Sequence, residues 1–303
     1  MSDADERLAK CLAMAHEEPG DQVIAVVGPT GSGKTALAID LAEQVSGEIL
    51  SCDSVQIYRG FDIGSGKPSA EELARVPHHL IGAIDPLEPI DAARYAETAT
   101  RALEGVRARG KRPIVCGGTF LWVKALLFGL AEAPAANPEL RARYTAVVEA
   151  EGRPALHARL REVDAASAER LHPNDFVRVS RALEVYELTG RPMSVWQAEH
   201  GFARPRHHAR VIAIARTSEE LTARIEARVA AFFAAGWIEE TRGLIARGYR
   251  DARAMGSVGY REVRAHLEGE VDATDLERAV VRATRVFARR QRTWLNQSEV
   301  TWV

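Results

Sequence analysis

The octapeptide GPTGSGKT, Gly28–Thr35, decides the fold of this 303-residue chain. It fits the P-loop pattern G-x-x-x-x-G-K-[ST] without a mismatch. An apolar run, Val23–Val27, precedes it, and apolar residues at helical spacing begin at Leu37. A strand that passes through a glycine-rich turn into a helix is the context this motif requires. The sequence therefore predicts a phosphate-binding loop.

The residue types in this loop explain how it would hold phosphates. Glycines permit turns that point successive backbone N–H groups into one concavity at a helix N-terminus, where an anion is favoured. Lys34 is expected to reach the outer phosphate oxygens, and the hydroxyl of Thr35 is expected to bind Mg²⁺. The predicted diphosphate- or nucleotide-binding residues are Gly28, Pro29, Thr30, Gly31, Ser32, Gly33, Lys34 and Thr35.

The composition is that of an ordinary globular protein, with 46% hydrophobic and 27% charged residues. The N-terminal stretch lacks the apolar core of a secretory signal, and no segment reaches the roughly 18 to 20 apolar residues of a membrane span. Cys11, Cys52 and Cys116 show no metal-ligand spacing. We therefore expect a cytoplasmic protein without membrane association.

Apolar runs alternate with helical patterns through about the first 130 residues, which predicts a parallel sheet covered by helices. The predicted strands are Gln22–Val27, Glu48–Cys52, His79–Ile84, Pro113–Cys116 and, much later, Ala209–Arg216. The predicted helices of this part are Lys34–Val45, Ala92–Arg109 and Phe120–Phe128. Between about Pro138 and Glu199 only short helical patterns occur. A further helix is expected to be capped by Ser218 and to end at Gly236.

The predicted fold class is α/β: a P-loop core whose mostly parallel sheet is flanked by helices, plus an all-helical insertion domain. We assign residues 1–20 to an N-terminal tail, 21–137 and 205–303 to the core, and 138–204 to the insertion. Because ligands bind at the carboxyl ends of parallel strands, the site is expected beside the P-loop.

Arginine is concentrated near the C-terminus, where 18 arginines face 13 acidic residues from Arg204 onwards. The segment Arg278–Arg292 holds six arginines and no acid. Read as a helix, it aligns five of them in what we call the arginine stripe: Arg278, Arg282, Arg285, Arg289 and Arg292. Val280, Phe287 and Trp294 are expected to pack on the core from the other side. Such a stripe favours a nucleic acid, unless acids elsewhere in the fold pair with it.

The P-loop alone leaves the reaction open. A GTPase is disfavoured, because D-x-x-G and N-K-x-D motifs are absent. A small-molecule kinase needs a P-loop, an Mg²⁺-ordering acid and basic residues, and Asp85 is one candidate acid. The strand before Thr119, however, ends in glycines, whereas Asp53 follows the second strand where it could face the P-loop.

Several blocks together resemble a known family. They are GPTGSGKT, DSVQIYRGFDIGSGKP, PHHLI, GGTFLWVKALLFGL, HPNDFVRVSRALEVYELTGRP, GSVGYRE and RRQRTWL. Their order is similar to that of the bacterial tRNA dimethylallyltransferases, and the likeness runs from about Val23 to Trp302. It implies transfer of a dimethylallyl group from its diphosphate to N6 of adenosine 37, beside the anticodon of tRNA. It also implies a P-loop core with a helical insertion.

The resemblance also implies roles for individual residues. Asp53 matches the general base, and Thr119 matches a residue that positions the target nucleotide. Lys34 and Arg224 match groups that hold the diphosphate, although Arg228 is nearly as good a candidate. The implied tRNA contacts are Asp53, Ser54, Val55, Gln56, Thr119, Arg141, Val177, Arg178, Val179, Ser180, Arg181, Gly256, Ser257, Val258, Gly259, Tyr260, Arg261, Arg289, Arg290, Gln291, Arg292, Thr293 and Trp294.

The expected ligands are therefore dimethylallyl diphosphate, the tRNA anticodon stem-loop and Mg²⁺, and ATP is expected to bind weakly at most. The chain is expected to act as a monomer. It departs from the family pattern at Phe120, where a glycine is common. The alternatives are an ATP-dependent kinase of small molecules, a prenyltransferase of free adenine nucleotides and a non-catalytic RNA-binding protein. The intact Lys34, Thr35 and Asp53 argue against the last.

Overall fold

The central element of the protein is a parallel sheet. The computed structural model describes residues 3–296 and 298–303, and within them six strands pair in the order β3-β2-β4-β1-β5-β6. Every pairing is parallel. The strands are β1 (Val23–Val27), β2 (Gly47–Cys52), β3 (His78–His79), β4 (Arg112–Gly117), β5 (Ala209–Ala213) and β6 (Thr301–Trp302).

The register of the inner strands brings their carboxyl ends together. β1 is buried at every residue, as its unbroken apolar sequence predicts. Val27 lies opposite both Gly117 of β4 and Ala213 of β5. Gly117 in turn lies opposite Cys52 of β2. The loops that follow β1, β2 and β4 therefore leave the sheet side by side.

Two compact units make up the fold. One comprises the described residues of Met1–Leu127 together with Pro205–Val303, and the other is Phe128–Arg204. The first unit contains the sheet and the helices α1 (Asp3–Glu17), α2 (Lys34–Gln44), α3 (Ala70–Arg75), α4 (Ala92–Ala108), α5 (Phe120–Phe128), α11 (Ser218–Ala234), α12 (Trp237–Ala246), α13 (Tyr260–Leu267) and α14 (Ala273–Asn296), with a 3-10 turn at Arg253–Gly256. Phe128, the last residue of α5, opens the second unit.

The second unit is all-helical. Its helices are α6 (Pro138–Glu151), α7 (Arg153–Val163), α8 (Ala165–Arg170), α9 (Phe176–Thr189) and α10 (Met193–His200). A small apolar core that includes Tyr144, Leu160 and Leu183 holds them together. The unit begins at Phe128, earlier than the boundary at residue 138 assigned from the sequence.

The N-terminus differs from the tail assigned from the sequence. Asp3–Glu17 forms helix α1, which packs against α2, and Cys11 and Ala15 are buried in the core. Arg112 also fixes the end of this segment, because its guanidinium donates to the carbonyl oxygens of Ala15, Glu18 and Pro19. Leu8, Leu12 and Met14 pack against the same core with partly buried side chains.

Two predicted boundaries were wrong for local reasons. The strand expected at His79–Ile84 is only the two-residue β3, because Leu80 adopts a left-handed φ of 65° that ends the extended chain. Helix α11 is capped by Thr217 and not by Ser218. The Thr217 hydroxyl accepts from the N–H of Glu220, whose carboxylate accepts from the N–H of Thr217 in return.

The burial of α14 also differs from the prediction. Its buried residues are Leu276, Val280, Ala288 and Leu295. Phe287 and Trp294, expected to pack on the core, are each 40% exposed. The reason is that α14 packs against α11 and α13, and neither covers the face that carries these two aromatic rings.

Among the described residues, no helix has both the length and the apolar character needed to cross a bilayer.

A buried carboxylate ties the start of β2 to the edge of the sheet. Glu48 is 5% exposed and accepts two hydrogen bonds from Arg109, at 3.0 and 2.6 Å, and shares one of 2.7 Å with His79. The hydrogen bonds from Arg109 lower the pKa of Glu48 to about 2 against the opposing effect of burial, and His79 adds to the lowering.

We predict that Glu48→Gln lowers the free energy of unfolding at pH 7 by about 2 kcal/mol, measured by urea denaturation. The pKa is lower in the folded protein than the ordinary value of 4.5, so this contribution is complete above about pH 4.5. It is lost as the pH falls towards 2. The exposed pair Glu43–Arg75 supplies the control, since solvent screens this pair and Glu43→Gln should cost clearly less than Glu48→Gln. A difference from wild type that grows as the pH falls would contradict this assignment.

Candidate active site at the carboxyl ends of the strands

The P-loop forms a concave turn at the start of α2. Gly31 and Gly33 adopt left-handed φ angles of 80° and 94°, and the N–H of Ser32 donates to the carbonyl of Pro29. Gly33 is the N-cap of α2, and no side chain caps the helix there. The first backbone N–H groups of α2 are therefore available to an anion, as the motif predicts.

Arg224 of α11 lies over this loop. Its Nε donates to the carbonyl oxygen of Gly31 at 2.7 Å, and its Nη2 lies 3.2 Å from the point that a Cβ on Gly33 would occupy. The residue is exposed. A guanidinium anchored on the loop by one nitrogen can present the others to a bound diphosphate.

Arg228, one turn further along α11, has a different environment. It is half-buried, its Nη2 donates to the carbonyl of Ser65 at 3.4 Å, and its guanidinium lies 4.7 Å from the ring centre of Phe232. Burial lowers the pKa of Arg228, and the charge of Asp53 opposes this. Of the two candidates, Arg224 thus contacts the P-loop directly, whereas Arg228 contacts the glycine-rich loop that contains Ser65.

Asp53 directly follows β2 and is held by the turn it begins. Its Oδ1 accepts from the N–H groups of Val55 at 2.9 Å and Gln56 at 3.2 Å. Within the described residues its Oδ2 makes no hydrogen bond. The turn therefore fixes the carboxylate through one oxygen and leaves the other for a ligand.

Thr119 lies beside this turn. Its Oγ1 accepts from the N–H of Ser54 at 3.1 Å, and its own N–H donates to the carbonyl of Cys52 at 3.3 Å. The approach is so close that a Cβ on Gly117 would lie 2.0 Å from the Cys52 carbonyl oxygen. Only glycine fits at position 117, which explains why this strand ends in glycine and not in a carboxylate.

Lys34, Thr35 and Asp53 line one cleft. The other residues along it are Ile49, Ser51, Gln56, Pro68, His78, Ile81, Cys116 and Gly117. Burial lowers the pKa of Lys34, while the neighbouring Cys116 and Asp53 oppose that change. Burial also raises the pKa of Cys116 to about 11, so this thiol is neutral near pH 7. The cleft therefore brings together the ammonium of Lys34, the hydroxyl of Thr35 and the carboxylate of Asp53.

A glycine-rich loop, residues 61–68, forms one side of this site and is held from several directions. The amide of Gln56 donates to the carbonyls of Ser65 at 3.3 Å and Gly66 at 3.0 Å. Its Oε1 accepts from the Ser51 hydroxyl at 3.1 Å. The side chain of Gln56, which the sequence assigns to tRNA contact, thus makes all these hydrogen bonds within the protein.

Glu240 of α12 supports the same loop, a role that no motif in the sequence indicated. Its carboxylate accepts from three successive N–H groups, those of Asp62, Ile63 and Gly64, at 3.0, 2.7 and 3.4 Å. It also accepts from the Tyr260 hydroxyl at 2.6 Å. The available signal was the glycine-rich loop itself, whose successive N–H groups need an acceptor.

The chain belongs to the IPP transferase family. A family model with the description IPP transferase matches residues 56–298. A protein of Sorangium cellulosum named tRNA dimethylallyltransferase is 61% identical over 290 residues, which cover 96% of this chain and 92% of that protein. A protein of the same name from Geobacter metallireducens is 46% identical over 289 residues, covering 95% of this chain and 94% of its own.

Solved structures agree with this family. The full-length tRNA isopentenylpyrophosphate transferase of Bacillus halodurans has a TM-score of 0.69 at 35% identity, over 93% of this chain and 89% of that one. A eukaryotic dimethylallyltransferase acting on tRNA has a TM-score of 0.77 at 25% identity, over 93% and 73% of the two chains. The predicted family and the predicted α/β fold class are confirmed, and the kinase alternative loses its support.

In this member of the IPP transferase family, the predicted tRNA contacts of the insertion lie in the second unit and fall into two groups. Val177 is 74% exposed, and the side chain of Arg178 is 63% exposed. Val179 and Ser180, in contrast, are buried. Arg141 and Arg181 each pair with the buried carboxylate of Glu184. Val177 and Arg178 are therefore accessible to a partner, although Arg178 also pairs with Asp175. Arg141 is exposed as well but is held by Glu184, and Val179, Ser180 and Arg181 stabilise the unit.

The predicted tRNA contacts in the segment Gly256–Arg261 of the first unit also comprise both buried and exposed residues. Tyr260 is buried, and Gly259 lies so close to Trp237 that a Cβ there would be 2.3 Å from its ring. The Ser257 hydroxyl donates to the Ala254 carbonyl at 2.6 Å. Arg261 has a side chain that is 55% exposed and pairs with Glu262.

The arginine stripe lies on the exposed side of α14. Arg282, Arg285, Arg289 and Arg292 line a groove whose floor includes Leu221 and Ile225 of α11. Arg278 pairs with Asp275, and Arg292 donates to the Ser218 hydroxyl. In the described part of the chain no acid pairs with Arg282, Arg285, Arg289 or Arg290. The ammonium nitrogen of Lys124 lies over the ring of Trp294, 5.7 Å from the ring centre.

We predict that Gly66→Ala destabilises the protein more than Gly248→Ala does. Both glycines have left-handed φ angles, 61° and 86°, so both variants carry backbone strain of about 1 kcal/mol. A Cβ at Gly66 would lie 1.9 Å from Arg228 Nη2. A Cβ at Gly248 would have no atom of a non-adjacent residue within 4 Å. Urea denaturation should show an additional loss of about 1 kcal/mol or more for Gly66→Ala. Equal losses would show that Arg228 moves aside without cost.

Proposed function

We propose that this protein transfers the dimethylallyl group of dimethylallyl diphosphate to N6 of adenosine 37, beside the anticodon of tRNA, and releases diphosphate. The observation that carries the proposal is the shared cleft of Lys34, Thr35 and Asp53. In this cleft a phosphate-binding loop lies next to a carboxylate. The similar proteins from Sorangium cellulosum and Geobacter metallireducens are named tRNA dimethylallyltransferases.

The phosphate cradle serves the leaving group. As the allylic C–O bond breaks, its electron pair stays with the diphosphate and positive charge develops on the dimethylallyl carbons. Fixed donors aimed at the growing negative charge lower the barrier. The backbone N–H groups at the start of α2, the ammonium of Lys34 and the guanidinium of Arg224 supply them. The same groups would give ATP a weak hold, because any polyphosphate fits such a cradle.

The donor set of the cleft also fits Mg²⁺. The Thr35 hydroxyl and the Asp53 carboxylate line the same space, and hard oxygen donors are the ligands that this ion prefers. Thr35 would hold the ion together with oxygens of the diphosphate. A bound Mg²⁺ would add positive charge where the leaving group becomes more negative.

Asp53 serves the acceptor. The N6 amino group forms the new C–N bond and must lose one proton, which the free carboxylate oxygen of Asp53 accepts. An adenine stacked in the anticodon loop cannot reach a diphosphate held in a cleft, so the base must first be extruded. Thr119, fixed beside Asp53 through the N–H of Ser54, then positions it.

The arginine stripe serves the rest of the tRNA. Three of its members, Arg282, Arg285 and Arg289, are exposed and make no ion pair with the described residues, so their charge is available to phosphates of the anticodon stem. The exposed rings of Phe287 and Trp294 on the same helix suit stacking with unpaired bases. We propose that the protein acts on tRNA in the cytoplasm and as a monomer.

We predict that the labelled dimethylallyl group of dimethylallyl diphosphate moves to tRNA, and that γ-labelled ATP transfers no phosphate to it or to a small acceptor. Asp53→Asn keeps the acceptor atom of the turn but removes the base. It should slow single-turnover transfer roughly 10²-fold or more and leave tRNA affinity within about twofold. Asp85→Asn, the matched change at an acid outside the cleft, should keep the wild-type rate. A wild-type rate in Asp53→Asn would exclude it as the base.

We predict that replacing Arg282, Arg285 and Arg289 together by Gln weakens tRNA binding. The slope of log affinity against log salt should shrink by up to about 0.9 for each tRNA phosphate that the variant no longer neutralises. Affinity for dimethylallyl diphosphate should stay the same. The control removes equal charge from α4 through Arg94→Gln, Arg101→Gln and Arg107→Gln, and should change the slope far less. An unchanged slope with a lowered melting temperature would show that the stripe serves the fold.

A further inference from the structure

Gln291 of α14 uses both ends of its side-chain amide to join two backbone segments of the active site. Its Oε1 accepts from the N–H of Thr30 in the P-loop at 2.9 Å. Its Nε2 donates to the carbonyl of Gly118 at 2.9 Å. The residue is half-buried, and both partners are main-chain atoms, so the amide faces the interior of the site.

These two segments belong to the two halves of the proposed reaction. Thr30 lies in the loop that holds the donor diphosphate, and Gly118 directly precedes Thr119, which contacts the turn of Asp53. The packing is tight, since a Cβ on Gly118 would lie 2.5 Å from Gln291 Nε2 and 3.2 Å from the carbonyl oxygen of Gly28. The amide of Gln291 is thus held in place between the P-loop, which would bind the diphosphate, and the Gly118–Thr119 segment, which lies beside Asp53.

The chemistry of this bridge requires a neutral amide of this length. An amide carries an acceptor and a donor on one planar group, so it can satisfy one N–H and one C=O together. A carboxylate could accept from Thr30 but could not donate to Gly118. It would also bring negative charge towards the diphosphate.

We infer that Gln291 is a positioning residue for the transfer step and not a residue that contacts tRNA. It holds the outer P-loop peptide and the Gly118–Thr119 turn in one arrangement, which keeps the leaving group and the acceptor base aligned. This inference rests on the proposed function. The exposed Arg289 and Arg290 directly precede Gln291 on α14. The helix that would bind tRNA through these arginines therefore also contacts the P-loop, which fixes the position of the tRNA relative to the diphosphate.

The test is a comparison of chemistry with binding in Gln291→Leu, which removes both hydrogen bonds at similar volume. Single-turnover transfer at saturating tRNA and dimethylallyl diphosphate should fall roughly 10- to 100-fold, because small misplacements of reacting groups have effects of this size. The tRNA dissociation constant should change less than about twofold, and its salt slope should not change. Gln44→Leu is the matched control, at an exposed glutamine whose side chain makes no hydrogen bond with the described residues, and it should behave as wild type.

A second variant tests the same bridge from the other side. Gly118→Ala displaces chiefly the amide of Gln291, which its Cβ would meet at 2.5 Å, and approaches the Gly28 carbonyl oxygen less closely, at 3.2 Å. It leaves the sequence of α14 unaltered, so it should reproduce the loss of rate with intact tRNA affinity. If Gln291→Leu does not fold, this variant carries the test. If both fold, the double variant should lose little more rate than the worse single variant, because both disrupt the same interaction.

The outcomes separate this inference from the proposed function. Weaker tRNA binding in Gln291→Leu, with a wild-type rate at saturation, would make Gln291 a tRNA-binding residue and overturn the inference. Additive losses in the double variant would overturn it as well. Absence of transfer by the wild-type protein would instead overturn the proposed function.

Discussion

The close approach of Gly117 to the carbonyl of Cys52 is the constraint on which the active site depends. A side chain at position 117 would collide with that carbonyl, so β2 and β4 end side by side only because this residue has none. Their close approach brings Asp53 beside Thr119. The parallel register then places both next to the loop that leaves β1. The anion-binding P-loop and the carboxylate of Asp53 thereby line the same cleft.

Most of the fold could be predicted from sequence, because the decisive elements carry strong local patterns. β1, α2 and α5 followed from unbroken apolar runs and from the P-loop motif, and the insertion followed from the absence of strand patterns. The errors arose where tertiary packing decides. Helix α1 packs on the core through residues that are only partly buried, such as Leu8 and Leu12. β3 ends at a left-handed Leu80, and the partial exposure of Trp294 depends on which neighbours α14 has.

The sequence predicted which segments meet at the candidate site but not the hydrogen bonds within it. The structure places Lys34 and Asp53 along one cleft and Thr119 beside the turn of Asp53, because the ends of neighbouring parallel strands meet. Motifs could not show which way a polar side chain turns. Gln56 and Tyr260 direct their polar atoms to the protein, and the partner of Tyr260, Glu240, lies in a segment without any motif. Sequence patterns identify positions that matter, whereas hydrogen-bond partners depend on the folded surroundings.

The chain order of these segments determines when the enzyme becomes complete during its synthesis. The P-loop emerges from the ribosome before β5, which flanks β1 and begins only at Ala209, and the amide that holds Thr30 belongs to α14, which follows later still. Interactions between distant segments cannot form before the later partner exists. A nascent chain that does not yet include α14 therefore lacks the hydrogen bond that holds Thr30 in the P-loop. The P-loop acquires this support together with the arginine-bearing helix.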